Sequence, residues 1–371
     1  MKIAVLAHIR HPIAEPFMGG MEAHCRMLCD GLRAKGHDVT LFAAEGSQDA
    51  QLVPICKAPY DKVLPWETYH GTPELAAYQR EAFSLAWERI VEGGFDVVHN
   101  NSLFCEIIDW ASHSMMPCVT SQHVPPFGKM RDAVARSAFE PMLANTVTSR
   151  SQLGLWQAGL RNQIRVVHNG VRCDRWIPDG KVQDYFVWVG RITPNKGTAE
   201  AVRAASLAGV PLKIFGPIED ARYFATKVEP HLTEVIAYHG ARTGTQLAPI
   251  VAQAKGALVT PRWEEPFGLV AAEALSCGVP VCAFDNGALA EVVGSCGFIV
   301  PPDDVKALAS AMTRVGEISR TACRERALAR FSVQSMIEGY EACYNDVVGA
   351  VLDQAASAFA SSQSSTAALL A

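Results

Sequence analysis

Short apolar runs alternate with amphipathic helical stretches along most of the chain, and they do so in two successive series. The first series has runs at residues 3–7, 39–43, 97–99, 119–122, 146–148 and 164–168. The second has runs at 185–189, 212–215, 235–239, 257–260, 279–284 and 297–300. Apolar runs of this length separated by helix-length segments predict βαβ units and hence parallel sheets with helices on both faces. Residues 21–35 carry a clear amphipathic helix pattern, with Gly36 placed to end it. Between the two series lies the polar stretch Asp174-Arg175-Trp176-Ile177-Pro178-Asp179-Gly180. The chain therefore reads as two α/β units joined near residues 173–182. Residues 331–352 read as a final helix, and the Ala-, Ser- and Gln-rich residues 354–371 as a disordered tail.

A chain of 371 residues is long for one core and sufficient for two. Apolar residues make up 49% and charged residues 19%, and the formal net charge is −5, which gives no global basic field for nucleic acid. The eleven cysteines are scattered and contain no Cys-x2-Cys pair, so neither a disulfide framework nor a zinc ribbon is indicated. Free thiols fit a reducing cytoplasm. The apolar start is too short for a secretory leader. No apolar run reaches the length of a membrane span, although attachment to a membrane surface stays open.

Four segments carry candidate chemistry. The first is Pro261-Arg262-Trp263-Glu264-Glu265-Pro266-Phe267-Gly268-Leu269, continuing to Glu273. Pro266 suits a first helical position, which predicts a helix from Pro266 to about Ser276 at the carboxyl edge of a parallel sheet. A helix amino end there offers N–H groups and partial positive charge to a diphosphate. On one helix Glu265 and Glu273 would be separated by roughly 12 Å. Carboxylates so spaced suit the hydroxyls of a sugar at one end of a ligand and a ribose at the other. A solvated acidic turn followed by a helix-face glutamate would produce the same letters.

The second segment is Gly190-Arg191-Ile192-Thr193-Pro194-Asn195-Lys196-Gly197, where Arg191 and Lys196 occupy a strand-to-helix turn. Two cations at that edge would neutralise a leaving diphosphate; two surface cations would look alike. The third is Gly19-Gly20, which permits close backbone approach to a ligand. A dinucleotide-type Gly-x-Gly-x-x-Gly is absent after residues 3–7, which disfavours a dinucleotide enzyme. The fourth is Ser121-Gln122-His123, with His123 at a strand's carboxyl end. A lone histidine is more often structural than functional.

In this order the segments resemble family 4 of the retaining GT-B glycosyltransferases. Cys277-Gly278-Val279-Pro280-Val281, Gly287-Ala288-x2-Glu291 and the 331–344 stretch extend the resemblance over nearly the whole chain. Gly216-Pro217, where much of the family has a glycine pair, draws it toward the branch with an avilamycin-pathway transferase and a UDP-glucose:tetrahydrobiopterin glucosyltransferase. The resemblance implies two Rossmann-like parallel-sheet domains facing across a cleft. It implies an acceptor-side domain of residues 1–172 plus 335–353, and a nucleotide-sugar donor domain of 173–334. Arg191 and Lys196 would bind the diphosphate, Glu273 the ribose and Glu265 the donor sugar. The amides of Phe267, Gly268 and Leu269 would hold phosphate and sugar. Gly19 and Gly20 would pack on the diphosphate, and His123 would touch the donor sugar.

The implied activity is metal-independent hexosyl transfer with retention, from a nucleoside diphosphate sugar of the UDP-glucose type (UDP favoured over GDP) to a small-molecule or glycan hydroxyl. No further cofactor is implied. A nucleotide-sugar epimerase and a non-catalytic nucleotide-sugar-binding protein are the alternatives. Residues 55–75, with Trp66, Tyr69 and His70, form an irregular aromatic stretch that suits an acceptor site or a packed loop.

Overall fold

The computed structural model describes residues 1–157 and 164–369. The chain divides into two units. One comprises Met1–Val147, Leu153–Val167 and Ile337–Ala371, the other Thr148–Gln152 and His168–Met336.

The first unit holds a seven-stranded sheet: β1 (Lys2–Ala7), β2 (Asp38–Ala44), β3 (Leu52–Cys56), β4 (Val97–Asn101), β5 (Cys118–Gln122), β6 (Leu143–Val147) and β7 (Arg165–Val166). The order is β3-β2-β1-β4-β5-β6-β7, and every pairing is parallel. Ile3, Ala4, Val5, Leu6 and Ala7 are all fully buried, as expected for a strand covered on both faces. The helix after β1 spans Gly20–Ala34, and Gly36 follows it at φ 88°. β3 was not anticipated. It is a half-exposed edge strand containing Pro54, whose missing N–H is tolerated only at an edge, and its register with β2 shifts at Ala43/Ala44.

The second unit holds a six-stranded parallel sheet: β8 (Phe186–Val189), β9 (Leu212–Phe215), β10 (Ile236–Tyr238), β11 (Gly256–Val259), β12 (Val281–Phe284) and β13 (Gly297–Val300), ordered β10-β9-β8-β11-β12-β13. Its strands alternate between two cores. Val187, Ala257, Val281 and Ala283 join the core shared with helices Gly244–Ala252, Leu269–Ser276 and Arg320–Phe331. Phe186, Trp188, Leu258, Cys282 and Phe284 join the core shared with helices Thr198–Ala208 and Val305–Thr313. Trp176, inside the stretch read as a linker, packs in the first of these cores.

The final helix predicted over 331–352 is found as Val333–Leu369, set off at Ser332 from a separate helix Arg320–Phe331. Ser332 has extended backbone (φ −69°, ψ 151°), pairs with Val171, and accepts from the Ser335 N–H at 3.2 Å, so it starts a new helix as a cap. The backbone stays helical to Leu369, where a disordered tail from 354 was expected; alanine is the best helix former and recurs through this stretch. From residue 337 this helix belongs to the first unit, where Tyr340 and Tyr344 reach a buried polar layer. The Tyr340 hydroxyl lies 3.1 Å from Ser121 Oγ, and Tyr344 contacts His99 Nδ1. No helix among the described residues is long and apolar enough to cross a membrane, and the eleven cysteines are free.

Candidate functional site

In the second unit the strand order reverses direction between β8 and β11, the position where open parallel sheets leave a crevice at their carboxyl edge. The loops after those two strands are tied together there. Thr260 Oγ1 accepts from Trp188 Nε1 at 3.0 Å and lies 3.1 Å from the Lys196 carbonyl and 2.9 Å from that of Gly197. The Arg262 N–H donates to the Asn195 carbonyl at 2.7 Å. Gly197 sits at φ 68°, and a Cβ on it would lie 1.9 Å from the Thr260 carbonyl oxygen, so the contact requires glycine.

This tie brings Lys196 to Glu265. Lys196 Nζ is 2.7 Å from Glu265 Oε2, Trp263 Nε1 donates to the same oxygen at 2.9 Å, and the ammonium lies 5.1 Å from the Trp263 ring centroid. The Glu265 backbone is gripped from the loop after β12. The Ala288 N–H donates to the Glu265 carbonyl at 2.9 Å, and Gly287, at φ 63°, leaves no room for a Cβ beside it. A cation, an indole and a carboxylate are thus fixed together at the crevice.

The helix expected from Pro266 begins at Leu269 instead. Gly268 is left-handed (φ 89°), and that geometry interrupts a helix, so residues 266–268 form a turn. Phe267 is buried, with its ring 6.0 Å from His168 and 5.5 Å from Phe331. The Pro266 carbonyl accepts from Thr148 Oγ1 at 2.9 Å. Glu265 and Glu273 therefore do not share one helix, and the 12 Å helical-rise spacing does not apply to them.

Glu273 lies within Leu269–Ser276 and lines a small cavity with Trp176, Val187, Val189, Val251, Ala257, Val270 and Ala274. The apolar walls deprive its carboxyl of solvation and push its pKa up to about 8. At that pKa it is protonated at neutral pH. That differs from the carboxylate expected from sequence, and the difference comes from its neighbours.

Arg191 lies in the loop after β8, as expected, but does not join Lys196. Its Nη1 pairs with both oxygens of Glu219, at 2.8 and 2.6 Å. In the first unit Gly20 starts the helix after β1, and Gly19 caps it in extended conformation. His123 is buried, with Nε2 2.8 Å from Asn101 Oδ1 and its ring 4.3 Å from that of His24. Burial pulls its pKa down to about 4, so it is neutral at pH 7. In the 55–75 stretch, Tyr60 is buried and its N–H donates to the Ile9 carbonyl at 3.0 Å, while Trp66 lies against His70 at 4.1 Å and under the Arg10 guanidinium at 5.2 Å. Among the described residues no group of three His, Cys, Asp or Glu is placed to hold a metal.

Sequence reading missed Trp263 as a partner of Glu265, Asn101 as the anchor of His123, and Glu219 as the counter-ion of Arg191. The last two join residues at the ends of different strands, while Trp263 and Glu265 stand two residues apart in one loop. Glu291 accepts from the Arg150 N–H at 2.8 Å and pairs with His168 Nε2 at 2.7 Å, which anchors the crossing segments to the second unit. Burial raises the Glu291 pKa, but those bonds outweigh it and leave it lowered.

Two family profiles match the chain: "Glycosyltransferase Family 4" over residues 18–175 and "Glycosyl transferases group 1" over 183–317. The D-inositol 3-phosphate glycosyltransferase of Mycolicibacterium smegmatis is 26% identical over 363 residues, spanning 85% of this chain and 83% of that protein. AviGT4, a glycosyltransferase involved in avilamycin A biosynthesis, superposes with a TM-score of 0.70 at 21% identity, covering 94% of this chain and 98% of its own. Anabaena HepE, solved in complex with UDP and glucose, does so with a TM-score of 0.68 at 19% identity, covering 92% and 98%. With both profiles matched in order and both sheets built as in those structures, the chain belongs to the family 4 glycosyltransferases of GT-B architecture.

Proposed function

We propose that this glycosyltransferase is a metal-independent, retaining hexosyltransferase that uses a nucleoside diphosphate sugar of the UDP-glucose type. The observation that carries the reading is the Lys196–Trp263–Glu265 cluster at the switch point of the second sheet. Lys196 and Glu265 neutralise each other. A diphosphate would draw the ammonium, and sugar hydroxyls would occupy the carboxylate, so both ends of the pair find new partners on one ligand. The N–H groups of Phe267, Gly268 and Leu269 at the following helix start suit the diphosphate and donor sugar. Arg191 supplies the second cation, and Glu273 the ribose contact. In the first unit, Gly19 and Gly20 give a side-chain-free approach to phosphate, and neutral His123 offers a hydrogen bond to a sugar hydroxyl. The UDP-glucose preference draws support from the UDP and glucose named for the HepE structure. The acceptor is a small molecule or glycan bearing a hydroxyl, and the free thiols suit a cytoplasmic enzyme.

In the reaction the bond from the sugar's anomeric carbon to the β-phosphate oxygen breaks, and its electron pair stays on that oxygen. The acceptor oxygen forms the new bond on the same face, and its proton passes to the β-phosphate oxygen. Lys196 and Arg191 stabilise the charge that develops on the leaving diphosphate. Glu265, fixed by Lys196 and Trp263, orients the sugar and is not assigned as a nucleophile.

The test is proton NMR of UDP-glucose incubated with the enzyme and excess chelator, read faster than mutarotation. Release of α-glucose with UDP, unaffected by chelator, is expected. β-Glucose, an epimerised sugar without acceptor, or strict metal dependence would overturn the assignment.

A further inference from the structure

We propose that Glu219 is the positioning residue for Arg191, turning one edge of its guanidinium toward the donor diphosphate. This rests on the function proposed above, and it uses the segment that follows β9, Gly216-Pro217-Ile218-Glu219-Asp220.

That segment is built onto the loop carrying Arg191. The Gly190 N–H donates to the Phe215 carbonyl at 3.0 Å, the Ile192 N–H to Pro217 at 2.9 Å and the Asp220 N–H back to Ile192 at 3.2 Å. The β8–β9 ladder thus continues past both strand ends, with Ile192 and Ile218 bridged in parallel. Gly216, at φ 140°, lies so close that a Cβ would sit 1.8 Å from the Gly190 carbonyl oxygen. Asp220 closes the other side by accepting from the Tyr223 N–H at 2.8 Å, and the Tyr223 hydroxyl accepts from the Ala199 N–H at 2.9 Å. Glu219 therefore projects from a braced backbone.

The contact itself is one-sided. Both carboxylate oxygens take Arg191 through Nη1 alone, and Nε and Nη2 have no partner among the described residues. A guanidinium has five donors in a rigid plane, so holding one nitrogen fixes the direction of the others. An ordinary surface ion pair has no such consequence and contributes little. Glu219 is a third exposed and makes no other ion pair among the described residues, so its replacement leaves the fold intact.

The experiment measures kcat by UDP-glucose turnover, and Kd for UDP-glucose by calorimetry, in wild type, Glu219→Ala, Glu219→Gln, Arg191→Ala and the Arg191→Ala/Glu219→Ala double variant. Losing the orientation should lower kcat about tenfold or more in Glu219→Ala, with Kd changed less than about threefold. Glu219→Gln keeps a carbonyl for Nη1 and should recover most of kcat. In the Arg191→Ala background Glu219→Ala should have no effect. A Glu219→Ala kcat within about twofold of wild type, or an equal loss with Arg191 already removed, overturns this inference while leaving the donor-site assignment standing. Absence of UDP-glucose binding by wild type overturns both.

Discussion

Glu273 links donor affinity to pH in a way its surroundings set. Its apolar neighbours hold the pKa at about 8. If two ribose hydroxyls are to donate to it, it must be a carboxylate, so the complex forms only after a proton leaves. Below the pKa the observed affinity should then fall tenfold per pH unit. Between pH 8.5 and 6.5, a group titrating at about 8 gives a decrease of about 25-fold. UDP-glucose is the right probe, because its diphosphate has no free terminal phosphate titrating in this range. Calorimetry in two buffers of different ionisation enthalpy would also show nearly one proton released per ligand at pH 6.5. Glu273→Gln should bind more weakly at pH 8.5 and show a flat profile. The same raised pKa acts on folding: the folded state holds a proton that the unfolded chain has released, so this group's contribution is greatest at low pH and is lost as pH rises through about 8. A wild-type affinity that is flat from pH 6.5 to 8.5, or proton release that persists in Glu273→Gln, would refute the reasoning.

Other consequences follow from single contacts. Lys196→Ala and Arg191→Ala should each lower kcat by about 10²–10³ with little change in the thermal midpoint, because both side chains are partly exposed and act on developing charge. Arg324→Ala should destabilise by about 3 kcal/mol in denaturant titration, since its guanidinium serves the carbonyls of Cys173, Trp176 and Ser276 at 2.7–2.8 Å, closing the end of the helix that carries Glu273. Gly197→Ala should destabilise by about 2 kcal/mol or more and abolish turnover, because the new methyl must displace the Thr260 carbonyl that ties the site loops. Asn101→Asp should raise the His123 pKa from about 4 toward neutrality, as followed by the ring-proton shifts in NMR; an unmoved titration would show that the pair is not formed.

The legible parts of this fold were those governed by local pattern. Leu212–Phe215 is found as a strand at the residues where its apolar run stands, because a buried parallel strand needs no polar alternation. Leu52–Cys56 was hidden, since an edge strand with a proline and four of its five positions half- or fully exposed has no such signal. The Glu-Pro-Phe-Gly start was misplaced by three residues because proline at a first helical position is a general preference. The left-handed Gly268 is specific to the close approach of Leu289, 2.6 Å from where a Cβ would lie. The same limit applies to the site. Lys196 and Glu265 could be named from their segments, but their 2.7 Å pairing depends on Thr260 and Gly287 in other loops. The protonated state of Glu273 depends on side chains spread from Trp176 to Ala274, and no spacing within its own segment encodes that.

The measurement nearest the central claim is calorimetry of UDP, GDP, ADP, UDP-glucose and GDP-mannose against the wild-type chain and against Lys196→Ala and Glu273→Ala, at pH 8.5 without metal. The account predicts binding with a preference for UDP and UDP-glucose, weakened in both variants, and a rise in thermal stability of about 2.7 kcal/mol at a hundred times the dissociation constant. No binding of any nucleotide at millimolar concentration, or binding unchanged in both variants, would contradict a donor site at the switch point of the second sheet.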